Sequence, residues 1–229
     1  MINRLVKEKC DLPLNKIHRV PHITLFGGFD SDYNHFKDVT STFEAVSRKY
    51  EYLPYLIDGF NWCDGDKGKV IYYNVVPSKE LKCFRQEIVS KLDEIAHSNK
   101  PWDYDKDFLF HSTVAYKLTN SEFNRTWSFI TGKQNVIARF LSLFKKTNEY
   151  SLRKFYLPSF ALRATLLNNA SKIAYEYDFL QKRLLPRQEA LSRSQWQRTL
   201  KLFRVRAGMQ NCGDTNSGPF LISDLHLDH

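Results

Sequence analysis

The sequence predicts an α+β fold built from two related halves. Residues 20–116 are predicted in order as strand, helix, strand, strand, helix and strand, and both outer strands carry a His-x-Thr tripeptide. Of the 229 residues, 42% are hydrophobic and 14% are aromatic, which is enough apolar surface for a substantial core. We therefore expect a globular domain in which the two tripeptides occupy corresponding places in the two halves.

Periodicity and turn residues predict the first two elements. Residues 20–29 alternate like a strand that ends in the Gly27-Gly28 turn. Residues 33–50 place apolar side chains three and four positions apart, as in an amphipathic helix, and Asp32 is positioned to cap it.

The second half of the pattern begins with a strand pair, residues 55–62 and 70–76, around a polar loop. Ser78 is predicted to cap a helix that runs to about Leu92. An acidic loop leads into the last predicted strand, residues 108–116.

Beyond this pattern we predict a helix at 135–144, a long strand or hairpin arm at 155–167, and a strand at 173–179. Residues 181–206 are basic with one apolar face, and a turn-rich linker follows. We therefore divide the chain into a main domain at 1–180, a basic helical extension with its linker at 181–218, and a short segment at 219–229.

The net charge of +9 is placed unevenly along the chain. Residues 1–132 hold 18 basic and 18 acidic side chains, residues 133–206 hold 16 and 4, and the remainder holds 0 and 3, so the balances are 0, +12 and −3. A basic second half suits a polyanionic partner, because phosphate contacts release condensed counterions. The alternative is an ordinary solvated helical surface.

Composition also predicts where the protein resides. No apolar run approaches the roughly 18 residues that a membrane span needs, and the first residues do not resemble a signal peptide. The four cysteines are widely scattered and form no CxxC pair. We expect a cytoplasmic protein with no membrane contact, and a monomer.

The two His-x-Thr tripeptides carry the candidate chemistry. Side chains alternate along a strand, so His22 and Thr24 share one face while Ile23 points to the core. His111 and Thr113 share a face in the same way. Two such strands brought together supply two imidazoles and two hydroxyls to one pocket.

This set of groups fits phosphodiester hydrolysis. A neutral imidazole can take a proton from water and a protonated imidazole can give one to the leaving alkoxide, since the ordinary histidine pKa is about 6.5. The threonine hydroxyls can donate hydrogen bonds to phosphate oxygens as charge builds there. The chemistry requires no metal and no cofactor.

Taken together, the paired motifs resemble the two-histidine (2H) phosphoesterase superfamily, the LigT-like group of 2′-5′ RNA ligases and cyclic phosphodiesterases. The flanking residues 21–27 and 110–115 and the separation of the histidines, 111 − 22 = 89 residues, are similar to that family. The resemblance covers about residues 1–180. Ser112 departs from the commonly apolar middle position, which matters little if it faces away from the cleft.

The resemblance implies a bilobal α+β fold, with two pseudo-symmetric β-sheet lobes and outer helices around a central cleft. It implies catalytic roles for His22 and His111 and phosphate-binding roles for Thr24 and Thr113. It also implies that the substrate is RNA or a nucleotide with a 2′,3′-cyclic phosphate, or a 2′-5′ linkage. Three hypotheses follow: a metal-independent 2′,3′-cyclic phosphodiesterase, a 2′-5′ RNA ligase or RNA-end-binding protein of the same fold, and the front part of a metallophosphoesterase fusion.

The third hypothesis comes from residues 222–227, which resemble the opening of a calcineurin-like metallophosphoesterase. In that family an Asp-x-His, here Asp224 and His226, ligates one of two metals, and later motifs supply the other ligands. The motif is incomplete here, so we assign no metal site. The alternative is a tail with a chance Asp-x-His.

A few further side chains on or near predicted strands can reach a phosphate or a base. They are Lys69, Tyr116, Lys117 and Arg163, and for each of them a structural or surface role is the alternative. The basic stretch from Lys182 to Arg206 can guide RNA to the cleft.

Overall fold

The computed structural model describes residues 2–17, 22–27, 29, 33–51, 53–98, 100–143, 154–157, 159–165 and 171–206. The helices among these residues are α1 (Ile2–Cys10), α2 (Tyr33–Arg48), α3 (Lys79–Asp93), α4 (Asn120–Leu143), α5 (Arg187–Ala190) and α6 (Arg193–Arg206). The strands are β1 (Leu53–Gly65), β2 (Gly68–Pro77), β3 (His111–Leu118), β4 (Lys154–Leu157), β5 (Ser159–Thr165), β6 (Ser171–Asp178) and β7 (Arg183–Pro186). Short 3₁₀ turns lie at Leu14–Lys16 and Pro101–Tyr104.

These strands form two antiparallel sheets. The larger has the order β3-β2-β1-β4 and the smaller has the order β5-β6-β7. Strands β1 and β2 form a long hairpin, and Gly59, with a φ of 68°, provides the bulge that interrupts their register. The predicted α+β class, with mixed helices and antiparallel sheet, is confirmed.

Helices cover one face of the larger sheet. At one end α2 and α3 bury Val39, Phe43, Phe84 and Ile88 against a strand core that includes Val75. The other end holds a second core, which α1 and α4 build against β2 and β3. The opposite face of β2 and β3 is left for the candidate site.

Local capping explains where two of the helices begin. Ser78 Oγ accepts the N–H of Leu81 and caps α3, as predicted. At the start of α4, Thr119 Oγ accepts the N–H of Glu122, and the Glu122 carboxylate accepts the N–H of Thr119. This capping box starts α4 at Asn120, so the prediction that a helix begins at residue 135 was wrong.

Other predictions differ from the structure. Residues 22–27 do not form a regular strand, because the chain bends at Leu25 and Phe26 and makes only an isolated bridge at Ile23. The predicted arm at 155–167 divides into β4 and β5, which belong to different sheets, with Pro158 between them in the sequence. Residues 183–186 form β7 and are not helical.

Candidate active site

The two His-x-Thr tripeptides lie side by side. An antiparallel bridge pairs Ile23 with Ser112, the middle residues of the two motifs. In an antiparallel pair the neighbours run in opposite directions, so this register places His22 across from Thr113, and Thr24 across from His111. The structure therefore brings the two predicted motifs together through their backbones.

Burial shows which way each motif faces. Ser112 is only 2% exposed, and Ile23 packs against the core. Because strand side chains alternate, the residues on either side of these two point to the opposite face. On that face His22 and Thr24 are exposed, whereas His111 and Thr113 are half-buried.

General strand geometry sets the spacing of the imidazoles. Residues directly opposite in an antiparallel pair have Cβ atoms about 4.5–5.5 Å apart, and diagonal neighbours are about 7–8 Å apart. His22 and His111 are diagonal neighbours in this register. The Cβ atoms of the two histidines are therefore expected about 7–8 Å apart.

A hydrogen bond fixes the ring of His111. Its Nδ1 lies 2.9 Å from the carbonyl oxygen of Leu109. A carbonyl only accepts, so Nδ1 carries the hydrogen, and Nε2 of the neutral ring has a lone pair that can accept a hydrogen bond. This hydrogen bond therefore defines the orientation of the His111 ring and the tautomer of its neutral form.

The ladder to β2 adds two side chains to the same face. Thr113 pairs with Tyr72, and His111 pairs with Asn74. The rings of Tyr72 and His111 have centroids 5.3 Å apart in an edge contact. Burial, with a smaller contribution from Cys63, raises the pKa of Tyr72, so its hydroxyl stays protonated and can donate a hydrogen bond.

Similarity to a protein family agrees with this geometry. The family model described as "2'-5' RNA ligase superfamily" matches residues 2–140, more than half of the chain. The chain belongs to the 2′-5′ RNA ligase superfamily. The family resemblance carried by the paired motifs is confirmed.

Two structures of one protein are among the solved structures that are similar to this chain. Both are of Kluyveromyces marxianus Usb1, and one is described as containing uridine monophosphate; it is 12% identical, with a TM-score of 0.38. The other is 11% identical, with the same TM-score. Each match covers 81% of this chain and 90% of the Usb1 chain. No curated protein shows significant sequence similarity to this chain.

In this protein, the buried carboxylate of Asp103 connects the segment that carries the first His-x-Thr motif to the segment that precedes the second. Asp103 is 1% exposed, and its Oδ2 accepts the N–H of Gly27 at 2.7 Å. The same oxygen accepts the hydroxyl of Ser98. The backbone shortly after Thr24 is therefore anchored to the Pro101–Tyr104 turn that leads towards His111.

The sequence-based prediction missed Tyr72 and Asn74, although their strand was predicted. A signal for both was present, since Ile71, Tyr73 and Val75 face the core. Tyr72 and Asn74 alternate with them and face the other way. An asparagine inside an otherwise apolar strand indicates a polar face. What the sequence lacked was the register that places Asn74 opposite His111.

The remaining candidates lie outside the two His-x-Thr motifs. Tyr116 is half-buried, and the exposed Lys117, whose φ is 56°, has its Nζ 5.2 Å from the Tyr116 ring. Lys69 pairs with Asp64 at 2.8 Å and lies 4.3 Å from the ring centroid of Trp62. The backbone of Arg163 lies in β5, in the smaller sheet.

The incomplete metallophosphoesterase-like motif, Asp224 and His226, lies outside the described residues. Within the part of the chain that the structure describes, no three His, Cys, Asp or Glu side chains are grouped in a way that suits a metal ion. Among the same residues, no helix combines the length and the apolar character of a membrane span.

Proposed function

We propose that this protein is a phosphodiesterase that opens a 2′,3′-cyclic phosphate, at an RNA end or in a cyclic nucleotide, with two histidines as general acid and general base. The antiparallel register at Ile23 and Ser112 supports this proposal most directly. It gives His22 and His111 a common open face and a spacing that suits one phosphate.

The proposed step is a single displacement at phosphorus. A water molecule attacks the phosphorus atom while one neutral imidazole takes its proton. The bond from phosphorus to one ribose oxygen breaks, and the protonated imidazole of the other histidine gives its proton to that oxygen. The product is a phosphate monoester, and the two histidines have exchanged protonation states.

Neighbouring groups support the developing charge. Thr24 and Thr113 lie on the same face as the histidines and can donate hydroxyl hydrogen bonds to the non-bridging phosphate oxygens. The amide of Asn74, across the ladder from His111, is a further donor. Donors placed before the reaction stabilise the transition state without having to reorient.

The hydrogen bond to Leu109 helps His111 in either role. Nδ1 donates to the same carbonyl whether the ring is neutral or charged, so the ring orientation is retained through the cycle. Nε2 then serves as acceptor or donor, and we assign proton exchange to this atom.

A second function, joining RNA ends through a 2′-5′ linkage, is favoured by the description of the matching family. The chemistry is the same displacement at the cyclic phosphate, with the 5′-hydroxyl of a second strand as nucleophile in place of water: the bond from phosphorus to the 3′ oxygen breaks, that oxygen takes up a proton, and a 2′-5′ diester forms. We place hydrolysis first because the histidine face is open, so water can enter.

We also propose that the protein acts in the cytoplasm, in keeping with the free thiols of Cys10, Cys63 and Cys83.

An oligonucleotide that ends in a 2′,3′-cyclic phosphate tests these functions. We expect conversion to a phosphate monoester, with no effect of EDTA and a bell-shaped dependence of rate on pH. If an added 5′-hydroxyl oligonucleotide is joined and no monoester forms, the ligase function is correct. Full inhibition by EDTA, or binding without turnover, would overturn the proposed hydrolysis.

A further inference from the structure

A basic pocket lies beside the strand end that carries His111. Its volume is about 310 Å³, and residues of helix α3, the end of β2 and the loop at residues 106–110 line it. This volume is near the lower end of the roughly 300–1,000 Å³ that is typical of ligand pockets. Nothing in the proposed reaction uses it.

The pocket wall contains a buried arginine that is incompletely paired. Arg85 is 5% exposed, and its Nη2 donates to the carbonyl of Asp103 at 2.7 Å. Its guanidinium carbon lies 3.5 Å from the ring centroid of Phe108. Its Nε is buried and has no hydrogen-bond partner among the described residues.

No carboxylate of the described residues lies within ion-pair distance of Arg85. Burial lowers the pKa of Arg85, and the charges of Asp103 and Asp105 oppose this effect from further away. A buried charge without a close counterion is costly. An anion bound in the pocket would supply that counterion.

The other charges at the pocket are mostly positive. Lys82 comes from the same helix as Arg85, Lys106 comes from the facing loop, and both are exposed. Among the described residues that line the pocket, Asp107 is the one acidic residue. The pocket therefore presents three cations and one anion, which favours an anionic ligand.

The position of the pocket relates it to the candidate active site. Leu109 and Phe110 line the pocket and directly precede His111 in the chain. The carbonyl of Leu109 is also the acceptor that orients the His111 ring. An RNA strand whose end lies at His111 can therefore continue over this loop into the pocket.

We propose that the Arg85 pocket binds a non-reacting phosphate of the RNA strand whose terminal phosphate is held between His22 and His111. The ligand chemistry is a phosphodiester, recognised by the positive charge of the Arg85 guanidinium in the pocket wall and by the exposed ammonium groups of Lys82 and Lys106. This inference rests on the proposed function for the identity of the strand. The phosphate-binding role of the pocket is tested separately, by measuring the affinity for RNA without measuring turnover.

The test uses the Lys82→Gln/Lys106→Gln double variant, because replacing Arg85 would also release Asp103 and Phe108. Lys79→Gln/Lys91→Gln is the matched control, since it removes two exposed charges from the same helix outside the pocket. The probes are an oligonucleotide with a 3′-phosphate and a single nucleoside 3′-monophosphate. Affinity is measured over a series of salt concentrations.

We expect the double variant to bind the oligonucleotide about tenfold more weakly. The slope of log affinity against log salt should fall in magnitude by about 0.7 for each phosphate that the variant no longer neutralises. The control should retain its slope. Unchanged oligonucleotide affinity and slope in the double variant, or an equal weakening for the mononucleotide, would overturn the pocket assignment. If the cyclic-phosphate substrate is not turned over, only the proposed function fails.

Discussion

Ser112 is a polar residue at a buried position of strand β3. It is 2% exposed, and its Oγ has no hydrogen-bond partner among the described residues. Its backbone pairs with Ile23, so the residue matters for register and not for side-chain chemistry. A buried, unsatisfied hydroxyl costs about 1–3 kcal/mol.

We therefore predict that Ser112→Ala raises the free energy of unfolding by about 1 kcal/mol, because the unsatisfied group is removed while the backbone pairing is kept. Urea denaturation of the variant and the wild type measures the difference. A decrease in stability would show that the Ser112 hydroxyl makes a favourable hydrogen bond in the folded protein.

At the scale of elements, the first motif depends on a contact between distant segments. A Cβ atom at Gly27 would lie 2.5 Å from Oδ2 of Asp103, the atom that accepts the Gly27 N–H. The glycine is therefore needed for close approach. Without that hydrogen bond, the segment that carries His22 and Thr24 loses its anchor to the Pro101–Tyr104 turn.

We predict that Gly27→Ala lowers the free energy of unfolding by about 1–3 kcal/mol, because the added methyl group displaces the buried carboxylate. Turnover of a cyclic-phosphate substrate should fall as well, since His22 loses its position. Gly132→Ala is the matched control. That glycine lies in α4 with nothing within 4 Å of the added atom, so its replacement should stabilise the helix by about 1 kcal/mol. Equal stability of Gly27→Ala and the wild type would argue against the anchor.

A second contact between elements makes the stability of the fold depend on pH. Lys16, in the first 3₁₀ turn, lies 2.7 Å from both carboxylate oxygens of Glu122 at the start of α4. The hydrogen bond to Lys16, followed by that to the backbone of Thr119, lowers the pKa of Glu122 from 4.5 to about 2. A lowered pKa means that this ion pair stabilises the fold above pH 4.5 and that the stabilisation disappears as the pH falls towards 2.

We predict that Lys16→Met lowers the free energy of unfolding by about 1 kcal/mol at pH 7, a modest value because both side chains are partly solvated. The difference from the wild type should shrink as the pH falls from about 4.5 to about 2, because protonated Glu122 no longer attracts Lys16. Denaturation curves at several pH values measure it. A difference that persists at pH 2 would mean that Lys16 acts through packing.

The sequence predicted those elements whose cause is local. The helix from Ser78 was correct because a cap and an apolar stripe coincide, and the Thr119–Glu122 capping box could have placed the start of α4. The shared face of His111 and Thr113 was also predictable, since strand alternation is local. The pairing of Ile23 with Ser112 and the place of Asn74 were not, because register depends on contacts distant in sequence.

At the scale of the whole molecule, one sheet organises both the core and the candidate site. Helices α1 to α4 pack on one face of the β3-β2-β1-β4 sheet. The opposite face presents the polar groups of the two His-x-Thr motifs and of Asn74, which pairs with His111. The excess of basic residues lies beyond residue 132, outside most of this unit. Under the proposed function, catalysis and long-range attraction of a polyanion belong to different parts of the chain.

The basic residues beyond position 132 lead to a prediction about RNA binding by the whole molecule. Arg193 and Arg198 are exposed on α6, and replacing both with Gln should weaken RNA binding and reduce its salt dependence, because each arginine releases counterions when it meets phosphate. Filter binding of an oligonucleotide at several salt concentrations measures this effect. Unchanged affinity would assign these arginines to a solvated surface only.

The most direct measurement is the single-turnover rate on a cyclic-phosphate oligonucleotide for the wild type, His22→Ala, His111→Ala and the double variant. If both rings serve one phosphorus atom, each single replacement should abolish nearly all turnover, and the double variant should be no slower than either single variant, since groups that act as a unit are not additive. A single variant that keeps a rate close to the wild type would contradict the paired-histidine site.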